Sequence, residues 1–236
     1  MQIVKLKGFI GASLLLMVGA IVLGYLVAGG MKSFMQIGRY VEVKGLAERE
    51  VLANKVVWPL PFNCVGNNLN ELYNTVENNS NIIIDFLKSN GITDEEIVVS
   101  APKATDREAQ SYIPDNMKYR YCVESLITVI SSQVPKVIEL KERQAELLKK
   151  GVIISEDYMS QTRFEFTQLN ELKPSMIEEA TRNARAVAQK FADDSESRLG
   201  GIKQAYQGQF SISNSDETTP HIKRVRVVTT VAYFLK

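Results

Sequence analysis

Between Gly8 and Met31 the chain carries no charged side chain. As a helix rising about 1.5 Å per residue, a stretch of that length spans a hydrocarbon core of about 30 Å. Lys5 and Lys7 precede it, and Lys32 and Arg39 follow it. The positive-inside asymmetry is therefore mild and favours a cytoplasmic tail at residues 1–7, with the bulk exported. The expected layout is a membrane anchor over 8–31 followed by an ectodomain over 38–236. The competing reading is a cleaved signal peptide, whose apolar core is ordinarily about 7–15 residues. Ala28-Gly29-Gly30 would be its weak cleavage site. Ala20, Gly24 and Ala28 recur every four residues, so one face of the anchor is small enough for another helix to approach closely.

The rest has the makeup of a folded domain. Of 236 residues, 45% are hydrophobic, and 28 basic side chains face 27 acidic ones for a net charge of +1. That excludes wholesale disorder and argues against a nucleic-acid partner. A phosphate-binding glycine loop, a two-histidine zinc motif, paired C-x-x-C motifs and a nucleophile elbow are all absent from the sequence. The single histidine, His221, follows Pro220 in a polar connection and reads as a surface residue rather than a triad member. No cofactor, metal or catalytic residue is implied, and we expect no enzyme. Lys223, Arg224 and Arg226 form a small basic patch, expected to make salt bridges on a solvated face. Cys64 and Cys122 fall in separate expected strands. They are open to three readings: a disulfide, two buried thiols, or a redox-active pair.

Periodicity outlines an α+β fold with helices covering a largely antiparallel sheet. Tyr40–Gly45 and Lys55–Phe62 alternate as strands, and Pro59 and Pro61 mark the second as an edge or a bulge. A helix is expected over Leu69–Ser89, with Asn68 and Glu71 as a capping box, Asn90-Gly91 as its stop, and Leu69, Leu72, Tyr73, Val76, Ile83 and Leu87 on its buried face. Ile97–Val99 reads as a strand, Lys103–Lys118 as a loop and Tyr119–Ile130 as a long strand. A second helix is expected from Pro135 to Gly151, burying Val134, Val137, Ile138, Ala145 and Leu148. Phe164-Glu165-Phe166 is a strand. A third helix is expected over Pro174–Leu199, striped with Ala180, Ala184, Ala188 and Ala192 and ended by Gly200-Gly201. Strands over Ile202–Ser213 and Lys223–Phe234 finish the chain.

This order of elements resembles the SIMPL domain family, also called the domain of unknown function 541 family. The likeness lies in Val41-x-Val43-x-Gly45, Gly91-Ile92 with Ile97, Tyr119-Arg120-Tyr121, Phe164-Glu165-Phe166, the helix from Glu179-Ala180 through Ala184, Ala188 and Ala192, and Leu199-Gly200. It covers residues 38–236. Where the family pattern often has Pro-Asp before the second strand, this chain has Leu52-Ala53-Asn54-Lys55. The resemblance implies a bacterial cell-envelope protein, associated with oxidative-stress tolerance and oligomeric assembly, and brings no catalytic residues. The expected protein is a non-enzymatic, single-pass inner-membrane assembly module with its C-terminal domain in the periplasm. Exposed strand edges and the Ala180/Ala184/Ala188 face would supply self-contacts, while Trp58, Pro59 and Phe62 would serve packing. The alternative from another class is a periplasmic small-ligand or redox-responsive binding protein, suggested by Tyr119, Tyr121, Trp58 and the cysteines.

Overall fold

The computed structural model describes residues 17–27, 38–109, 118–155 and 160–236. Along the chain run β1 (Tyr40–Leu52), β2 (Lys55–Gly66), α1 (Leu69–Ser89), β3 (Ile97–Val99), β4 (Lys103–Asp106), β5 (Tyr121–Ser131), α2 (Val134–Glu142), α3 (Ala145–Lys149), β6 (Arg163–Glu165), α4 (Leu169–Asp194), β7 (Leu199–Gln207), β8 (Ser211–Asn214) and β9 (Ile222–Leu235). The α+β expectation holds. The single expected ectodomain divides into two compact units. Of the described residues, one gathers those up to Glu48, Leu172–Ser211 and Arg226–Lys236, and the other those of Arg49–Glu171 and Ile212–Val225.

The second unit is built on a five-stranded sheet ordered β3-β5-β2-β6, with β4 also on β5. Its spine is the antiparallel β2/β5 pair, in register from Val56 opposite Ser131 to Gly66 opposite Tyr121. Alternation sends Val56, Trp58, Leu60 and Phe62 to one face, where all are buried with Val123, Ile127 and Val129. α1 covers this face with Leu72, Val76, Ile83, Phe86 and Leu87, joined by Val137 and Leu140 of α2 and Leu147 of α3. The Asn68 side chain caps α1 by accepting from the Asn70 amide at 3.0 Å and the Glu71 amide at 3.4 Å, and its Nδ2 donates to Glu71 Oε1 at 3.0 Å. Gly91, at φ 83°, then turns the chain out of the helix, a conformation glycine adopts without cost.

Pro59 and Pro61 face β6's side of β2, where β6 pairs with Lys55–Val57 and an isolated bridge joins Phe62 to Ile154. Proline removes the donors this stretch would otherwise offer, so the prolines mark a gap in the pairing on that side of a strand that lies inside the sheet order rather than at its edge. Several boundaries differ from expectation. Leu69, Tyr73 and Leu148 are exposed, and the second helix breaks into α2 and α3. The expected loop over Lys103–Lys118 contains β4, whose polar residues form a strand because β5 pairs them, Lys103 opposite Glu124 through Asp106 opposite Tyr121. Residues 110–117 of that loop lie outside the described residues.

The first unit holds most of a four-stranded sheet ordered β1-β9-β7, with β8 also on β9. β1 alternates without a break, and Val41, Val43, Gly45 and Ala47 point inward. On them lies α4, with Ala180, Ala184, Ala188 and Ala192 fully buried. Val43, Ala184, Ala188, Val231 and Tyr233 form the connected core. α4 begins earlier than expected, taking Pro174 inside it, and ends earlier too. Its stop is Glu196 at φ 52°, with the Ser197 amide donating to the Ala192 carbonyl at 2.8 Å, a Schellman turn. Gly200 and Gly201 are thereby left to β7 rather than ending the helix.

Of the expected anchor, residues 17–27 are helical and exposed, including Ala20 and Gly24. Ala28 and the remainder of 8–31 lie outside the described residues, as does the tail at 1–7. Among the described residues no helix is long and apolar enough to cross a membrane.

Candidate functional site

The face of the five-stranded sheet turned away from α1 carries a cavity of about 420 Å³. Its position follows from the β2/β5 register. Pro61 lies opposite Leu126, and Asn63 opposite Glu124, which in turn faces Lys103 of β4. Three strands therefore set Asn63, Glu124 and Lys103 in one row, beside a half-buried floor of Pro59, Pro61 and Leu126. Ser155 fixes one wall, its amide donating to the Pro61 carbonyl at 2.7 Å. Lys103 and Glu124 are both exposed, yet they do not bridge each other, and neither has a charged partner among the described residues. Among the described residues, the cavity thus presents an unpaired Lys103, an unpaired Glu124 and the Asn63 amide, together with the apolar Pro59, Pro61 and Leu126 and the serines Ser125, Ser155 and Ser160.

Sequence patterning singles out none of these polar residues, and it places Lys103 in a loop. Glu124 had a visible signal, since it is the sole charged residue in the apolar run Tyr121–Ile130. Of the residues expected to pack, Pro59 and Phe62 line the cavity, and Phe62, like Trp58, also belongs to the core on the other face.

Both cysteines are free thiols, so the possible Cys64–Cys122 disulfide is not formed. Cys64 sits opposite Val123 and Cys122 opposite Val65, so the two point to opposite faces of the sheet. Burial pushes the Cys64 thiol above its ordinary pKa, against the opposing effect of Asn79, whose Nδ2 donates to Sγ at 3.4 Å. Burial thus favours the protonated form of the Cys64 thiol, which is the weaker nucleophile.

His221 is half-buried, its ring edge-on to Phe164 at 6.0 Å, and its carbonyl accepts from the Ala53 amide at 2.8 Å. The basic patch is dispersed into local contacts. Arg224 pairs with Glu50 and Arg226 with Glu48, each at 3.5 Å. Lys223 is buried and donates to Asn214 Oδ1 at 2.5 Å. Burial pulls its pKa down, with Glu165 opposing. Among the described residues no group of three or more His, Cys, Asp or Glu could hold a metal ion.

The Ala180/Ala184/Ala188 face, expected to serve self-association, is instead taken up within the chain. A Cβ on Gly45 would lie 1.8 Å from the Ala180 carbonyl oxygen, so helix and strand backbones are already in contact there. Edges of the sheets remain as the other surface able to meet a second copy. In the five-stranded sheet they are short. In the four-stranded sheet, β7 carries register shifts between Leu199 and Gln204, whereas β1 is long and regular.

A comparison with curated proteins finds no match for the chain. The pattern of the family described as SIMPL, protein of unknown function (DUF541), matches over residues 41–231. That match covers α1 to α4 and nearly all of both sheets, and the chain belongs to the SIMPL (DUF541) family.

Proposed function

We propose that this SIMPL protein is a non-enzymatic module of the bacterial cell envelope. Residues 8–31 tether it to the inner membrane, and it assembles with copies of itself through the β1 edge. The observation that carries the reading is the edge itself. Over Tyr40–Glu48, β1 alternates, contains no proline and, among the described residues, pairs with β9 alone, although Asn183 Nδ2 donates to the Leu46 carbonyl at 2.8 Å. Natural sheets ordinarily guard such an edge with prolines, bulges or brevity, as the other edges in this chain do by brevity or register shifts.

The sequence of β1 also suits a two-fold antiparallel pairing. A register centred on Val43 sets Glu42 against Lys44 of the partner subunit and Tyr40 against Leu46 of the partner subunit. Glu42, Lys44, Tyr40 and Leu46 all lie on the exposed face of β1. Cross-strand pairs of this kind contribute about 0.2–1 kcal/mol each, and the two-fold axis doubles every one.

Light scattering on the full chain in mild detergent tests the reading. The parent should exceed monomer mass. Lys44→Glu places like charges against each other twice and should weaken association about tenfold. Adding Glu42→Lys to it should restore the parent mass. A monomeric parent, or masses indifferent to both variants, would sink the proposal. Tolerance of oxidants travels with this reading, and a dissociating variant is expected to lose it.

A further inference from the structure

We propose that the cavity on the five-stranded sheet binds a small zwitterion with an apolar body, of the size and charge pattern of an apolar amino acid. The inference is independent of the assembly reading, because no residue of β1 lines the cavity.

The charges argue for the class of ligand. Lysine and glutamate placed opposite each other on neighbouring strands ordinarily gain by pairing. Lys103 and Glu124 occupy such a position, in register across β4 and β5, and remain unpaired among the described residues. Both lie at the rim of the same cavity. A ligand with a carboxylate and an ammonium on one carbon satisfies both at once: the carboxylate accepts from Lys103 Nζ, and the ammonium donates to the Glu124 carboxylate. Neither a simple anion nor a simple cation does so. Asn63, in the same row, has both a donor and an acceptor to offer.

The floor argues for the body. Pro59, Pro61 and Leu126 present rigid apolar surface without a single N–H donor from the prolines. Against these three residues a polar side chain would lose its hydration without a side-chain partner, so an apolar body fits this part of the lining, beside the serines Ser125, Ser155 and Ser160. A cavity of about 420 Å³ has room for a body the size of leucine, phenylalanine or tryptophan. The cavity also falls within the range of about 300–1,000 Å³ common to small-molecule sites.

The test is calorimetric titration of the full chain in nanodiscs, against empty nanodiscs as the blank. The probes are L-phenylalanine, L-leucine and L-tryptophan, with phenethylamine and 3-phenylpropionate as analogues lacking one charge each. At least one amino acid should bind saturably, one per chain, with a Kd in the millimolar range or below. Each half-charged analogue should bind at least about tenfold more weakly than phenylalanine. Lys103→Ala should weaken phenylalanine about tenfold and leave phenethylamine unchanged, and Glu124→Ala should do the mirror with 3-phenylpropionate. Both side chains are exposed, so neither variant endangers the fold. The proposal is overturned if none of the three amino acids saturates in the millimolar range. It is equally overturned if the half-charged analogues match phenylalanine, or if both variants bind as the parent does.

Discussion

A methyl group on Gly45 would sit 1.8 Å from the Ala180 carbonyl oxygen, 2.5 Å from the Ala184 amide nitrogen and 2.8 Å from its Cβ. The first two are backbone atoms of a helix and have no rotamer by which to retreat. Gly45→Ala must therefore push α4 off β1. The Val43, Ala184 and Ala188 contacts would be lost with it. We expect a cost of about 3 kcal/mol or more, at the upper end of overpacking effects, read by urea denaturation of the full chain. A loss below about 0.5 kcal/mol, the range of an ordinary surface change, would show that the close approach is not needed. The sequence displayed both halves of this contact, the glycine in a strand and the alanine stripe in a helix. It did not display that they meet. Small residues look alike whether they admit a strand of the same chain or a second copy, and only the partner's position separates the two. The cysteines were illegible for a related reason. Their strands were recognised, but the register that sends Cys64 and Cys122 to opposite faces is a property of pairing.

Elements announced by local chemistry are legible in the sequence, and elements made by tertiary pairing are not. α1 carries its own cap, its own stop and a periodic face, and its limits were found to the residue. β4 is Lys-Ala-Thr-Asp, with no periodicity to speak of, and exists because β5 receives it and Arg120 holds Asp106 at 2.7 Å. The short turn before β3 has a similar anchor with a measurable consequence. Thr93 and Glu96 cap each other, and Glu96 Oε1 also accepts from Ser131 Oγ at 2.5 Å and from Gln133 Nε2 at 3.4 Å. Burial alone would raise the Glu96 pKa. The hydrogen bonds from Ser131, Thr93 and Gln133 outweigh it, and the carboxyl is held below its ordinary 4.5. A lowered value means the folded state favours the ionised form. The stabilisation is thus complete above the ordinary value and drains away as pH falls through the folded one. Thermal melts of the parent should lose stability across that acid range. Glu96→Gln should cost about 1.5 kcal/mol at neutral pH and flatten the acid limb. An unchanged limb would mean that Glu96 does not contribute to it.

At the scale of the whole chain, the two units differ most in what their cores are made of. The second unit buries Trp58, Phe62, Phe86, Leu60, Ile83, Leu87, Ile127 and Leu140 in one connected cluster. The connected core of the first unit is Val43, Ala184, Ala188, Val231 and Tyr233. Burial stabilises by about 25 cal/mol per Å² of apolar surface, and an alanine offers little of it, so the same feature that lets α4 lie against β1 leaves the first unit weakly held. Composition gave no hint of this, because the 45% apolar share is an average over both units. The imbalance predicts an order of unfolding. Trp58 is the sole tryptophan and lies in the larger core, so its emission reports the second unit, whereas far-ultraviolet circular dichroism reports both. In urea, part of the dichroism should be lost before the emission shifts, with midpoints separated by at least about 0.5 M. Gly45→Ala should widen that gap by moving the early transition alone. Coincident transitions in parent and variant would mean that the small core is not the weaker one, and that contacts beyond the alanine seam set the stability of the first unit.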